Sequence, residues 1–302
     1  MNKKIVFLVV MGCAMENTDI KAFSWKNIFE IKQNDFSYAV NNVLCMQHRS
    51  YSNGTLPKIA DIRIKNIPIE ESGEDLVDIR LLGNQRIEML ANPENSHAYG
   101  SSELRNYNAG YACSSLIRAD LFHALERMVV SLDLIAPSFG YKQGALVIKV
   151  FEGLRDFKVQ EKIFNEKVEQ IHKNNPEMTD QELFNEASTW VSPVKDNIPV
   201  HTTGAAIDIR LYDLSTQQFV DMGDFGVLFG KNECAPTFSE NITDFQKYNR
   251  LMMLIAASNA GMINYPYEWW HYSLHDRYAE YWYQQAELPE MMGKALYGIK
   301  TL

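Results

Sequence analysis

His201-Thr202-Thr203-Gly204-Ala205-Ala206-Ile207-Asp208-Ile209-Arg210-Leu211-Tyr212 is the stretch that decides the fold. From Ala205 to Tyr212 it reads as a strand. Ile207, Ile209 and Leu211 fall on one face, and Ala206, Asp208 and Arg210 on the other. Asp213-Leu214-Ser215-Thr216 then predicts a turn into a partner strand, Gln218 to Asp221. Gly204 permits a tight turn just before the strand, and the small Ala205 and Ala206 let other backbone come close. An aspartate opposite two isoleucines on a half-buried strand is not a simple core position.

Outward from that strand the pattern is mixed. Ile117, Leu121, Leu125, Met128 and Leu132 recur at helical spacing and predict an amphipathic helix of about five turns from Ser115. Ala145 to Phe151 is apolar at nearly every position, as a central strand is, and Gly153 ends it. A helix follows with Val159, Ile163 and Ile171 inward, broken at Asn174-Asn175-Pro176. Thr179 with Glu182 forms a capping box for the next one. Thr243 to Ala260 predicts another helix stopped by Gly261, and Glu268 to Tyr272 is rich in strand-favouring aromatics. Helices and strands alternate without a regular βαβ order, so the class is α+β. Towards the N-terminus the reading is poorer: Arg63 to Ile67 alternates like an exposed strand. Residues 21–74 are taken as an extension wrapped on a catalytic domain of residues 75–302.

Composition narrows the function classes. The chain has 302 residues, 46% of them hydrophobic, enough for a substantial core. Its net charge is -9 and no Lys/Arg run exceeds two residues, so the basic footprint of a nucleic-acid binder is missing. The same charge disfavours anionic membrane surfaces. The four cysteines (Cys13, Cys45, Cys113 and Cys234) are far apart, so a metal site must be made of histidines and carboxylates. At the N-terminus, Lys3 and Lys4 precede an apolar run and then Gly12-Cys13. In residues 1–20 this layout points to a signal segment with lipidation at Cys13; the other reading is a buried first strand of a cytosolic chain. The first places the protein in the periplasm or on a membrane by its lipid, the second in the cytoplasm.

Two short segments carry the chemistry: His201 to Asp208, and Glu268-Trp269-Trp270-His271. Together they offer two imidazoles and two carboxylates. A catalytic zinc site uses three such ligands and leaves a fourth position for water, while a carboxylate outside the ligand set moves the proton. The gap from His201 to Asp208 suits a loop ligand followed by one on the adjoining strand. Glu268 and His271 are three apart and would face opposite ways on a regular strand, so a bulge is required to bring them together. His275 reads as solvated, His123 as structural, and Tyr278, Tyr281, Trp282 and Tyr283 as packing.

The pattern His-x-x-Gly-x-Ala-x-Asp followed by Glu-x-Trp-His resembles the D-Ala-D-Ala dipeptidases, within the wider set of zinc D-Ala-D-Ala carboxypeptidases and hedgehog-like domains. The resemblance runs from about residue 75 to 280, with Leu76 to Arg80 like the family's opening strand and Met222-Gly223 also matching. It implies a central, mostly antiparallel sheet with flanking helices. It also implies one zinc per chain on His201, Asp208 and His271, Glu268 activating the attacking water, and Arg155 stabilising the oxyanion. The implied substrate is D-Ala-D-Ala or a similar small peptide. The alternatives are a carboxypeptidase or endopeptidase for longer cell-wall peptides, and a zinc-binding interaction module without turnover. For Arg155 the alternative is a salt bridge with Glu152 or Asp156. Departures from the family pattern fall around the metal set: Pro199 stands where a serine is usual, Leu154 where an aromatic is, and Asp224-Phe225-Gly226 where Phe-Asp follows Met-Gly.

Overall fold

The structure is a computed structural model, and it describes residues 38–90, 115–223, 233–287 and 293–300. The segment around Cys13, Cys113 and Asp224 lie outside the described residues. Six strands form the main sheet. β2 (Ile87–Met89), β4 (Leu146–Glu152), β5 (Ala206–Asp213), β8 (Glu268–Ser273) and β7 (Ile263–Tyr265) follow one another across it, and β6 (Gln218–Phe219) pairs with the far end of β5. Only β2 and β4 are parallel; every other pair is antiparallel. A separate two-stranded ribbon joins β1 (Leu76–Asp78) to β3 (Leu116–Arg118).

The alternation read in β5 explains how the sheet is covered. Ile207, Ile209 and Leu211 are fully buried. They pack into a core with Leu121, Leu125, Met128 and Leu132 of α3 (Ala119–Ile135) and Met252, Met253, Ala256 and Ala257 of α6 (Asp244–Asn259). Each such side chain removed from water contributes about 1.5–3 kcal/mol, which fixes the register of β5 against its neighbours. A second core holds Ala206, Tyr265, Tyr278, Trp282 and Tyr283. It joins α7 (Arg277–Gln285) to α1 (Tyr38–Ser52) and the one-turn α2 (Ile62–Lys65). The aromatic cluster of 278–283 is therefore packing, as expected. A helical hairpin, α4 (Phe157–Asn174) and α5 (Asp180–Ala187), has a small core of its own around Ile163, Phe164 and Leu183. Among the described residues no helix is long and apolar enough to cross a membrane.

Local chemistry sets several boundaries. Thr179 and Thr243 each cap a helix reciprocally with the residue three further on, Glu182 and Gln246. Three expectations need correcting. Residues 63–67 are not a strand, because Asp61 accepts from the Arg63 N–H and caps α2, placing Ile64 and Ile67 on one buried side. Ile117 is not on the helix: it lies in β3, and the helix begins at Ala119. The opening strand at Leu76 stops at Asp78, whose side chain caps a 3-10 turn, and it pairs outside the main sheet.

Candidate metal centre

Three strands and one turn bring the functional side chains together. Along β5 the partner of Asp208 is His271 on β8, while Glu152 on β4 faces Asp208 from the other side. These three residues thus form a row across neighbouring strands. Phe151 is the extra residue of a bulge between Val150 and Glu152. The spacing of Glu268 and His271 demanded an irregularity in β8, and one is present: Asn264 pairs with Tyr272, but the next residue, Tyr265, pairs with Glu268. Residues 269–271 are skipped in the pairing with β7 while His271 keeps its place opposite Asp208 on β5, and both Glu268 and His271 line the same cavity. His201 arrives from a 3-10 turn, Val200–Thr203, that closes at Gly204 with φ of 72°. The left-handed conformation favours glycine at 204, and a Cβ there, 2.8 Å from a methyl of Leu76, would also push that side chain aside.

The atoms converge closely. His201 Nε2 lies 3.1 Å from His271 Nδ1, His271 Nδ1 lies 2.9 Å from Asp208 Oδ1, and His201 Nε2 lies 3.4 Å from that same oxygen. On its other edge His201 Nδ1 is 2.9 Å from the Gly153 carbonyl. A carbonyl only accepts, so Nδ1 carries the proton and Nε2 of the neutral ring presents a lone pair to the cluster. Two imidazole nitrogens and a carboxylate oxygen therefore face one another, and all three side chains are buried. Tetrahedral ligands about 2.05 Å from a zinc ion stand about 3.3 Å apart, so a triangle with these sides fits a metal ion. The set of two histidines and one aspartate suits zinc among other divalent ions.

Charge at the site follows from the same geometry. Burial pushes the His201 imidazole down, but the Asp208 carboxylate beside it, with Glu152 behind, outweighs this and the net direction is up. Burial pushes Asp208 up, yet the charges and hydrogen bonds of His201 and His271 hold it well below the usual carboxylate range. Glu268 moves the other way. Burial, with Asp208 nearby, raises it against the pull of His271, His201 and Arg155. Its side chain keeps 40% of its surface open to the cavity, although protein surrounds it, and its Oε2 lies 3.9 Å from His271 Nδ1. Glu268 is thus a carboxylate beside the candidate ligands, farther from His271 than Asp208 is.

A scan against protein families matches residues 135–289, half of the chain, to the D-ala-D-ala dipeptidase family of peptidases. The chain belongs to that family. A D-alanyl-D-alanine dipeptidase of Synechocystis sp. is 26% identical over 253 residues, covering 77% of this chain and 94% of that protein. The D-alanyl-D-alanine dipeptidases of Enterococcus faecium and Enterococcus faecalis are 35% and 32% identical over 77 residues, 25% of this chain and 37% of each of theirs. Membership makes the protein a peptidase, hence a hydrolase, on an α+β fold.

Arg155 lines the same cavity, and its salt bridge is also real. Its Nε donates to Glu152 Oε1 at 2.6 Å, Nη2 to Glu152 Oε2 at 2.5 Å, and Nη1 to Gln160 Oε1 at 2.6 Å. A two-point pair of this kind fixes the plane of the guanidinium, so the two readings of Arg155 are compatible. Sequence reasoning missed the rest of the wall. The Gly153 carbonyl, Gln160 and the loop from Ser188 to Ser192 carry no motif, and Lys58-Ile59-Ala60 reach the cavity from outside the matched segment. Two other histidines singled out in the sequence, His275 and His123, stand apart from the cluster. His275 is half-buried against Tyr283 and 3.7 Å from Asp120, not solvated. His123 is exposed and pairs with Glu126.

Proposed function

We propose that this protein is a zinc-dependent dipeptidase that hydrolyses D-Ala-D-Ala or a close relative. The observation that carries the reading is the convergence of His201, Asp208 and His271 within a cavity that also presents Glu268 and Arg155, in a member of this family. His201 through Nε2, His271 through Nδ1 and Asp208 through Oδ1 would hold one zinc per chain. When bound, the ion polarises the scissile carbonyl and lowers the pKa of water towards neutrality.

The protein's own groups do the remainder. Glu268 takes the proton of the attacking water and returns it to the leaving amine. Arg155, held flat by Glu152 and Gln160, faces the charge that develops on the carbonyl oxygen; a donor in that role is worth about 3–4 kcal/mol. Gly153 keeps His201 in the tautomer that serves the ion.

The size of the cavity supports a short substrate. Its volume is about 130 Å³, and the loop at Trp190 and Ser192 and the segment Lys58 to Ala60 contribute to its wall. We therefore take residues 75–302 as the catalytic domain, with the preceding segment contributing part of the substrate wall. A peptidase for longer cell-wall peptides would need an open groove. A module without turnover has no use for a carboxylate beside its ligands, since a structural site closes the fourth position with protein.

The test is release of free alanine by the purified protein from D-Ala-D-Ala, from L-Ala-L-Ala and from a cell-wall pentapeptide ending in D-Ala-D-Ala. The proposal expects rapid release from the first and at least tenfold less from the others. Preference for the pentapeptide would overturn the dipeptidase assignment in favour of a carboxypeptidase, and no release from any of the three by zinc-loaded protein would favour the binding module.

A further inference from the structure

Behind the cluster lies a group of buried polar atoms that the chemistry above does not use. Strand alternation puts His271 and Ser273 of β8 on the same face, two residues apart. The chain then turns, and Asp276 caps α7, its Oδ1 accepting from the Ala279 N–H at 2.9 Å. His271, Ser273 and Asp276 are all buried to within 1% of their surface. Yet His271 Nε2, Ser273 Oγ and Asp276 Oδ2 have no hydrogen-bond partner in the structure. Buried polar atoms are almost always paired, and three orphans on neighbouring residues call for one explanation.

Their donor and acceptor types are complementary. Once Nδ1 of His271 binds an ion beside Asp208, as proposed, it holds no proton, so Nε2 carries it and must donate. An ionised Asp276 Oδ2 can only accept. The Ser273 hydroxyl does both, stands beside the Asp276 carboxylate, and shares a strand face with His271. The His271 ring and the Asp276 carboxylate also interact electrostatically. Helix capping, through the Ala279 and Tyr278 N–H groups, does not by itself account for a serine hydroxyl placed at the same carboxylate.

We propose that Asp276 is a positioning residue for the metal centre: His271 Nε2–H donates to Ser273 Oγ, whose own proton goes to Asp276 Oδ2, and this relay fixes Nδ1 as the nitrogen offered to the ion. The inference rests on the reading of His271 as a ligand. Partners of this kind hold a ligand's tautomer and ring plane, and removing them typically weakens metal affinity 10–100-fold.

The test uses the full chain in three forms: wild type, Asp276→Asn and Ser273→Ala. Asparagine is as good an N-cap as aspartate, so Asp276→Asn keeps α7 capped and removes only the charge. Ser273→Ala leaves the cap untouched. Zinc affinity is read by competition with a chromogenic chelator, and ligand geometry by the visible spectrum of the cobalt-loaded protein. Asp276→Asn is expected to bind zinc about 10–100-fold more weakly, and Ser273→Ala several-fold more weakly. Both should shift the cobalt bands while the melting temperature of the metal-free protein stays put. Wild-type zinc affinity and an unshifted cobalt spectrum in Ser273→Ala, or in Asp276→Asn, would overturn the relay. Failure of the wild type itself to take up zinc would instead overturn the metal site on which the relay depends.

Discussion

Two buried clusters of charge sit on either side of β8, and they are built on opposite logic. Arg250 of α6 is almost fully buried. Its guanidinium donates to the carbonyls of Met222, Pro236 and Cys234, each at 2.7 Å, and lies over the ring of Trp269. Burial pushes its pKa down to about 9, which leaves it a cation at neutral pH. Every carbonyl there meets a donor, and the result is a tie that holds residues 234–237 against the start of β8, where Trp269 N–H donates to the Ala235 carbonyl. At His201, Asp208 and His271 the count fails. Three atoms that can each ligate a metal crowd within 3.4 Å of one another, and with the His201 proton held at the Gly153 carbonyl a neutral His271 has a single ring proton to share with the Asp208 oxygen and His201 Nε2. The buried charge at Arg250 is satisfied within the protein, and at the histidine cluster the unmet demand is one that the proposed cation would meet.

The contrast yields predictions that separate the two clusters. The largest effect belongs to Glu268→Ala, which should lower kcat about 10³-fold or more while zinc content stays at one per chain. Steady-state kinetics with metal analysis checks both halves; normal turnover would remove Glu268 from the reaction. Arg155→Ala should cost about 10²–10³ in kcat with little change in metal content. Glu152→Gln should produce a smaller version of the same loss, because it loosens the guanidinium without removing it. Arg250→Met is expected to behave differently. It should destabilise the fold by about 3 kcal/mol, since three buried carbonyls lose their donor. Denaturant unfolding reads that cost, and kcat per folded molecule should stay near the wild-type value. A kcat loss without loss of stability would mean that the tie and the site are not separate.

The smallest expected effect is on pH. Zinc needs His201 neutral at Nε2, and in the metal-free protein the His201 pKa is raised above its ordinary value. Affinity should therefore be full above that raised pKa and fall as pH drops through it, by at most about tenfold per pH unit for one competing proton. The decline should begin at higher pH than for an ordinary histidine. Zinc competition titrations across the neutral range would show it, and affinity that is flat or rises on acidification would contradict the assigned tautomer.

What could be read from the sequence was local or periodic. Thr179 and Thr243 announced their helices because a cap is a contact between residues three apart. Ile207, Ile209 and Leu211 announced β5 because both of its neighbours follow from one alternating face. The bulge in β8 was legible from chemistry: Glu268 and His271 can share a cavity only if the strand breaks its period. Residues 63–67 misled because Arg63, Ile64 and Lys65 alternate as a strand does, whereas Ile64 and Ile67 are three apart, a spacing that a short helix turns to one side. The wall of the cavity was illegible for a different reason. Lys58, Gln160 and Trp190 meet the histidines only through tertiary packing, and the Gly153 carbonyl that orients His201 belongs to backbone. The clamp on Arg155 was visible as a possible salt bridge with Glu152, but not as the device that aims the guanidinium into the cavity.

In the proposed function His201, Asp208 and His271 hold one zinc ion on which hydrolysis depends. The most direct test is to strip the protein with a chelator, add zinc back in measured fractions of an equivalent, and follow D-Ala release from D-Ala-D-Ala at each step. Activity that is absent from the stripped protein and rises linearly to a plateau at one zinc per chain, with no such rise in His271→Ala, is the expected result. Full activity in the stripped protein, or a plateau unaffected by loss of His271, would contradict it.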